Sequence, residues 1–557
     1  MKVVIACLNS KYIHASLAPW CLDSGVKAYC KSPCETVVAE STVNGDIFSF
    51  ADSILAKRPD VVSFSCYIWN IKKTLEICRY IKDNSDIVII LGGPEVSYCA
   101  EKVLESYAFI DYVLCGEGET TYPKLLDTIS LGEPLSEVQG LCFRDNGSII
   151  KNDEFEYHGT PPTPYSDEFF DNLSGRIVYL ETSRGCPYRC AFCLSGRCSR
   201  LRFFDMDRVK EDILKLSVSG TRTVKFVDRT FNADSKRANE IIKFILDNRG
   251  THIPENVCFH FEIAGDILTE ETFNLLESAP VGLFQLEIGM QSFNENTLKI
   301  INRKTNTEKL INNIKRLISF NNMHIHIDLI AGLTGENIKS FERSFDIGYS
   351  LKAQMLQMGF LKLLHGADMR ENPEKYPCEF SEEPPYEVLS TPWLTNDEII
   401  KLKKCEDALE RLYNSGRFLF TLDYILSSTS YTPFRLFFEF GNWVDGNKMS
   451  LSEYALKVFE FFSSTCDKNI LREKIYCDLL SCSSALQIPE AFKVKHPFYK
   501  RAKHFFTNNV TDKIKVAVIN SENKIFVVNQ SGKKDLWGRY PGDFYELSVL
   551  DKDRGKN

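Results

Sequence analysis

The chain has 557 residues, a formal net charge of −8, 44% hydrophobic and 25% charged residues. That length exceeds one ordinary hydrophobic core and predicts three or four units of roughly 150 residues, or fewer if one is a barrel. The acidic balance gives no overall case for nucleic-acid binding, while leaving room for a local basic groove, and nineteen cysteines spread over so long a chain do not read as a small disulfide scaffold.

Met1 is followed at once by the strand-like run Lys2-Val3-Val4-Ile5-Ala6-Cys7. The charged start, longer apolar stretch and small-residue cleavage site of a signal peptide are absent. No apolar run approaches the roughly 20 residues that span a bilayer. The expectation is a soluble, cytoplasmic protein.

Residues 1–150 alternate short apolar runs (3–8, 36–39, 61–66, 87–91 and 112–115) with amphipathic stretches such as 46–57 and 71–84. This predicts an α/β domain, a doubly wound, Rossmann-like parallel sheet with helices on both faces. Polar residues gather just after the runs, at 9–14, 67–70, Gly92-Gly93-Pro94-Glu95 and Gly116-Glu117-Gly118-Glu119. Open sheets bind ligands beyond the carboxyl ends of their strands, so this domain is a cofactor-binding candidate. No G-x-G-x-x-G follows the first strand, which argues against a dinucleotide. A domain that binds nothing is the remaining alternative.

Residues 151–175 are polar, contain Pro161, Pro162 and Pro164, and read as a linker. A second series follows, with strands at 177–181, 223–228, 258–263, 284–288, 324–330 and 355–361 and helices at 205–216, 235–248, 305–320 and 336–351. Six β/α units over 176–375 predict a partial (β/α)6 barrel with its site at the strands' carboxyl ends. His365 and Asp368, where the barrel closes, either touch substrate or pack at the rim. Residues 385–557 read as a mainly helical domain, with helices at 394–415 and 450–464 and a terminal hairpin of 513–518 and 524–529. Within it, Lys493, Lys495, Lys500, Arg501 and Lys503 stand among Phe498, Tyr499, Phe505 and Phe506. Such a stretch either tracks a nucleic-acid strand or packs as an amphipathic element, and the second reading is preferred.

Most cysteines stand alone in apolar segments and read as buried packing. The exception is Cys186-Pro187-Tyr188-Arg189-Cys190-Ala191-Phe192-Cys193, a C-x3-C-x2-C loop just after a strand. A short loop can bring three thiolates to three irons of one cubane and leave the fourth iron open. The alternative is a zinc site with Cys198 as fourth ligand, but zinc sites more often pair two C-x2-C units. Arg184, Arg189, Arg197, Arg200 and Arg202 crowd the loop, where one or two can balance an anionic cluster.

This loop, with aromatic Phe192 before its last cysteine, resembles the signature of the radical S-adenosylmethionine (SAM) superfamily. The resemblance implies a 4Fe–4S cluster on Cys186, Cys190 and Cys193, SAM bound at the open iron, and an electron donor such as ferredoxin or flavodoxin. Ile288-Gly289-Met290-Gln291-Ser292 resembles the superfamily's G-x-Q-S turn. Ala331-Gly332-Leu333-Thr334-Gly335-Glu336 resembles its GLPGE turn, with threonine in place of proline. Together with the strand ends Asp228, Glu262 and Glu287, these imply Phe192, Asp228, Glu262, Glu287, Gln291 and Leu333 as SAM contacts.

The first domain resembles the cobalamin-binding domain that precedes the barrel in a large subfamily, and 385–557 resembles an uncharacterised domain associated with it. The implied cobalamin contacts are Asn9, Lys11, Tyr12, His14, Ser16 and Leu17; Tyr67, Ile68 and Trp69; Gly92, Gly93, Glu95 and Val96; and Gly116, Glu117, Gly118 and Glu119. The D-x-H-x-x-G motif of other cobalamin domains is missing, so His14 is expected to serve as a hydrogen-bonding group more than as a cobalt ligand. The resemblance implies hydrogen abstraction from an unactivated carbon followed by methyl transfer from methylcobalamin. Rearrangement, cyclisation or oxidation without methyl transfer, and a non-catalytic cobalamin or redox sensor, are the alternatives.

Overall fold

The structure is a computed structural model, and it describes all residues except 155–157, 174, 198–199, 445–447, 483–486, 494–495, 511–512 and 556–557. The chain gathers into two compact units. One comprises Met1–Glu287, Leu298–Asn306 and Leu361–Leu389; the other comprises Ile288–Thr297, Thr307–Phe360 and Ser390–Asn557.

The first unit opens with strands β1 (Lys2–Asn9), β2 (Glu35–Thr42), β3 (Val61–Ser65), β4 (Val88–Gly92), β5 (Tyr112–Leu114), β6 (Leu141–Asp145) and β7 (Ser148–Lys151). They form one sheet in the order β2-β1-β3-β4-β5-β6-β7. The first five are parallel. Side chains alternate across the sheet. Val4, Ala6, Leu8, Phe64 and Leu91 pack on one face with Ile54, Ile77 and Leu104 from the helices. Val3, Ile5 and Ile90 pack on the other with Val26, Tyr122 and Leu125. The sheet is therefore doubly wound, as expected.

Two features depart from the expectation. β6 and β7 add an antiparallel edge to the parallel sheet. Their turn is Asn146-Gly147, both with positive φ (47° and 84°), the geometry an Asn-Gly pair favours between two strands. The expected linker also carries a helix, Asp167–Asp171, capped by Ser166. Phe169 from that helix is buried edge-on against Trp20.

The same unit then holds β8 (Val178–Leu180), β9 (Ser183–Arg184), β10 (Arg202–Phe203), β11 (Thr223–Phe226), β12 (Cys258–Ile263) and the start of β13 (Phe284–Gln291). β11 lies parallel between β8 and β12, and the helices Met206–Ser217, Ser235–Asn248 and Glu270–Glu277 alternate with these strands. Phe226, Phe231 and Phe261 stack into the core beside them.

In the second unit β14 (His324–Ala331) and β15 (Met355–Phe360) are parallel neighbours, joined through the helix Ile338–Ser350. Among the described residues, six further α-helices follow between Asn396 and Asn509. The terminal strands Ile514–Ile519 and Lys524–Asn529 pair as the expected hairpin, and Gly542–Glu546 adds a third strand. The basic, aromatic stretch forms the helix Tyr499–Asn509 and buries Ala502 and Phe506, the latter 4.7 Å from the Tyr545 ring; Lys495 lies outside the described residues. Among the described residues no helix is long and apolar enough to cross a membrane.

Candidate functional site

The cysteine loop begins two residues beyond β9, whose pairing with β10 makes a small antiparallel ledge. Gly185 must be glycine: its φ is +94°, and a Cβ there would collide with the Arg200 carbonyl. The Cys186 Sγ lies 3.3 Å from Thr230 Oγ1, in the turn after β11. Cys190 is buried, and Arg303 donates to its Sγ at 3.8 Å while covering the Tyr188 ring at 5.0 Å. Burial pushes the Cys190 thiol above its usual range, with Arg303 pulling it down. The backbone closes the loop tightly: Cys193 N–H donates to the Cys190 carbonyl (3.1 Å), and Ala191 N–H to that of Ile301 (2.9 Å). Half-buried Phe192 sits between these anchors. Cys198 lies outside the described residues.

Asp228 fixes the base of the loop. It is 1% exposed and accepts from Thr182 N–H (3.1 Å), Thr182 Oγ1 (2.7 Å) and the Ser183 hydroxyl. Burial pushes its carboxyl up to about 6 against those hydrogen bonds. Its contacts make it a brace between the ends of β8 and β11.

Beside the loop, within the same unit, lies a cavity of about 620 Å³. One side is built by the turns after four parallel strands: Asn9, His14, Ser16 and Leu17 after β1, Tyr67 and Trp69 after β3, Gly92 and Gly93 after β4, and Gly116–Glu119 after β5. The other side is built by Tyr179, Glu181, Arg184, Arg229 and Glu262. Gly93 has φ +103°, and a Cβ there would stand 2.6 Å from the Cys66 carbonyl. Tyr67 and Trp69 stack at 4.4 Å with their planes 5° apart, and Trp69 is half-exposed.

The structure brings most of the expected cobalamin contacts to this wall, but not all of them. Lys11 and Tyr12 are exposed, Ile68 stands outside the lining, and Val96 is in the core. Glu95 is buried and accepts from the Tyr386 hydroxyl. His14 bonds through Nδ1 to the Tyr179 hydroxyl (2.6 Å), and burial lowers its pKa, keeping it neutral.

Glu117 and Glu119 face one guanidinium. Arg184 bonds Glu117 (2.7 Å), Glu181 (2.9 Å) and Glu119, and Arg202 also reaches Glu117 (2.7 Å). Burial works against the charge on Glu119, yet Arg184 outweighs it and holds that carboxyl below its ordinary value. Two of the five arginines expected around the cysteine loop are thus spent on these glutamates, and Arg197 lies over the Tyr98 ring at 5.9 Å. The arginine beside a cysteine sulfur is Arg303, which sequence reasoning missed.

Glu262 and Glu287 share Lys225, at 3.6 and 3.1 Å, and Glu287 is 3.0 Å from His260 Nε2. In the second unit, Gln291 sits at a positive φ of 68° and Leu333 is fully buried. The two turns that carry them are tied by Glu336, whose Oε1 accepts from Ser292 (2.6 Å) and Ser344 (3.2 Å). Burial pushes Glu336 up to about 7. His365 packs edge-on against Tyr386 and is pushed down to about 4 by burial and Arg370, while Asp368 accepts from the Tyr376 hydroxyl (2.9 Å).

Family models match three stretches: the B12 binding domain over residues 25–126, the radical SAM superfamily over 180–347, and the protein of unknown function family DUF4080 over 374–530. The chain is 27% identical over 299 residues to 2-(S-pantetheinyl)-carbapenam-3-carboxylate methyltransferase of Streptantibioticus cattleyicolor, covering 51% of this chain and 44% of that protein. It is 27% identical over 307 residues to the cobalamin-dependent radical SAM methyltransferase TokK of Streptomyces tokunonensis, covering 52% and 44%. The chain thus spans less than half the length of these relatives. Its fold matches the cobalamin-dependent SAM radical enzyme OxsB, solved with aqua-cobalamin and SAM bound, with a TM-score of 0.61 and 16% identity over 86% of this chain and 78% of that one. The chain thus carries, in order, a stretch similar to the B12 binding domain, one similar to the radical SAM superfamily and one similar to DUF4080. The radical SAM and B12 binding matches imply a 4Fe–4S cluster, SAM and cobalamin as cofactors.

Proposed function

We propose that this chain is a cobalamin-dependent radical SAM methyltransferase acting on an unactivated carbon, fed by a low-potential donor such as ferredoxin or flavodoxin. The observation that carries the reading is adjacency. Thr230, which touches Cys186, directly follows Arg229 of the cavity wall, and Arg184, two residues before Cys186, is bonded to Glu117 and Glu119 of the opposite wall.

Three soft thiolates on one tight loop suit an iron–sulfur cluster with one position left open. The glycine turns and the flat Tyr67–Trp69 pair suit a large planar cofactor above it. When bound, the cofactors supply reductive cleavage of SAM, hydrogen abstraction by the 5′-deoxyadenosyl radical, and methyl transfer from cobalamin. The chain's own residues bind and orient. Arg303 offsets negative charge at Cys190, Asp228 holds the loop's base, and Glu262 and Glu287 offer carboxylates toward SAM. Holding reactants at fixed geometry away from water is the protein's contribution.

Anaerobic purification tests the reading. Bound cobalamin should appear in the absorption spectrum, and the reconstituted protein should form 5′-deoxyadenosine from SAM and dithionite. A cluster without cobalamin would favour radical chemistry without methyl transfer; cobalamin without SAM cleavage would favour a sensor.

A further inference from the structure

We propose that Arg229 is the receptor for an anionic oxygen group, carboxylate or phosphate, on the substrate, so that the substrate is an organic acid or a phosphate ester. The inference rests on the enzyme reading above and adds the substrate's class to it.

Two arginines line the cavity, Arg184 and Arg229, and the first of them, like several cations nearby, has partners in the chain. Arg184 is shared by Glu117, Glu119 and Glu181. Arg202 pairs with Glu117, Lys225 with Glu262 and Glu287, and Arg176 with Glu40. Arg303 stacks on Tyr188 and meets Cys190. Arg229 differs. It lines the cavity and is exposed to it, and among the described residues its guanidinium makes no hydrogen bond or ion pair.

Its base, by contrast, is rigid. Asp228 before it is 1% exposed and takes three hydrogen bonds from Thr182 and Ser183; Thr230 after it is 6% exposed and touches Cys186. The backbone is therefore held on both sides while the fork is left unused. A guanidinium presents planar paired donors that match a carboxylate or phosphate. The acidic side chains on the wall, Glu117, Glu119, Glu181 and Glu262, are poor neighbours for an anion. Together these charges give an anionic substrate one preferred orientation, with its charged end one residue from the cluster loop's contact at Thr230.

The test compares wild type with Arg229→Gln and Arg229→Lys, each loaded with cluster and cobalamin. Calorimetry at constant ionic strength measures binding of pyrophosphate, succinate and, separately, SAM. Wild type should bind at least one of the two oxyanions. Arg229→Gln should weaken that binding by about tenfold or more, and Arg229→Lys by less, because the charge stays while the fork is lost. SAM affinity should be the same in all three proteins. Equal oxyanion binding by wild type and Arg229→Gln, or none by wild type up to tens of millimolar, overturns the proposal. A parallel fall in SAM affinity overturns it too, by assigning the guanidinium to SAM's own carboxylate. Cobalamin absorption and iron content of each sample report on the enzyme reading independently.

Discussion

Arg184, on the cavity wall, and Arg539, in the second unit, are both arginines facing buried carboxylates. Arg184 meets three glutamates from two stretches of chain and stays at the edge of open space. Arg539 meets Asp478 at 3.1 Å, and that aspartate is fully buried while accepting from Phe420 N–H, Thr421 N–H and the Thr421 hydroxyl. Burial pushes Asp478 up to about 6, the same value as Asp228 under the cysteine loop. Burial and a shifted pKa therefore do not mark function in this chain. What separates the two regions is whether the ionic group borders a cavity or seals a core.

Mutation should separate the two arginines. Arg184→Ala strands buried Glu119 beside two further carboxylates and should cost about 3–5 kcal/mol of stability, with loss of bound cobalamin per folded molecule. Arg539→Ala leaves Asp478 its hydrogen bonds but no charge partner, and should cost about 2–4 kcal/mol. Its folded fraction should keep full cobalamin and iron. Equal cobalamin loss in both variants, read by absorption after gel filtration, would dissolve the distinction. The smallest effect is a pH slope. Glu336 has its folded pKa raised to about 7 from an ordinary 4.5, so the native state binds its proton more tightly than the unfolded chain. Its contribution is greatest below about pH 4.5 and is lost as pH rises to about 7, by at most about 1.4 kcal/mol per pH unit. Thermal melts over this window should flatten in Glu336→Gln; an unchanged slope would place the titration elsewhere.

The cysteine loop stands out in the sequence because its three thiols lie within eight residues. The doubly wound sheet was legible for a similar reason, since short buried runs between amphipathic helices leave few other solutions. Arg303 was not, because it meets Cys190 from 113 residues away. Asp228 was visible as a strand end, but its orientation toward Thr182 and Ser183 depends on the β8–β11 pairing. The turn expectations overreached where neighbours alternate: Gly92 and Gly93 face the cavity while Glu95 and Val96 turn inward. The antiparallel edge was written in Asn146-Gly147 and went unread. In the second unit, the helix Lys468–Cys482 buries residues on several sides, including Leu471, Ile475, Cys477 and Leu479, so it has no single apolar stripe to announce it.

Electron paramagnetic resonance of the dithionite-reduced protein, recorded with and without SAM, tests the three-cysteine site most directly. A reduced-cluster signal should appear, shift when SAM is added and vanish in a variant with Cys186, Cys190 and Cys193 all changed to alanine. A signal indifferent to SAM, or one that survives the triple change, would contradict the three-cysteine site.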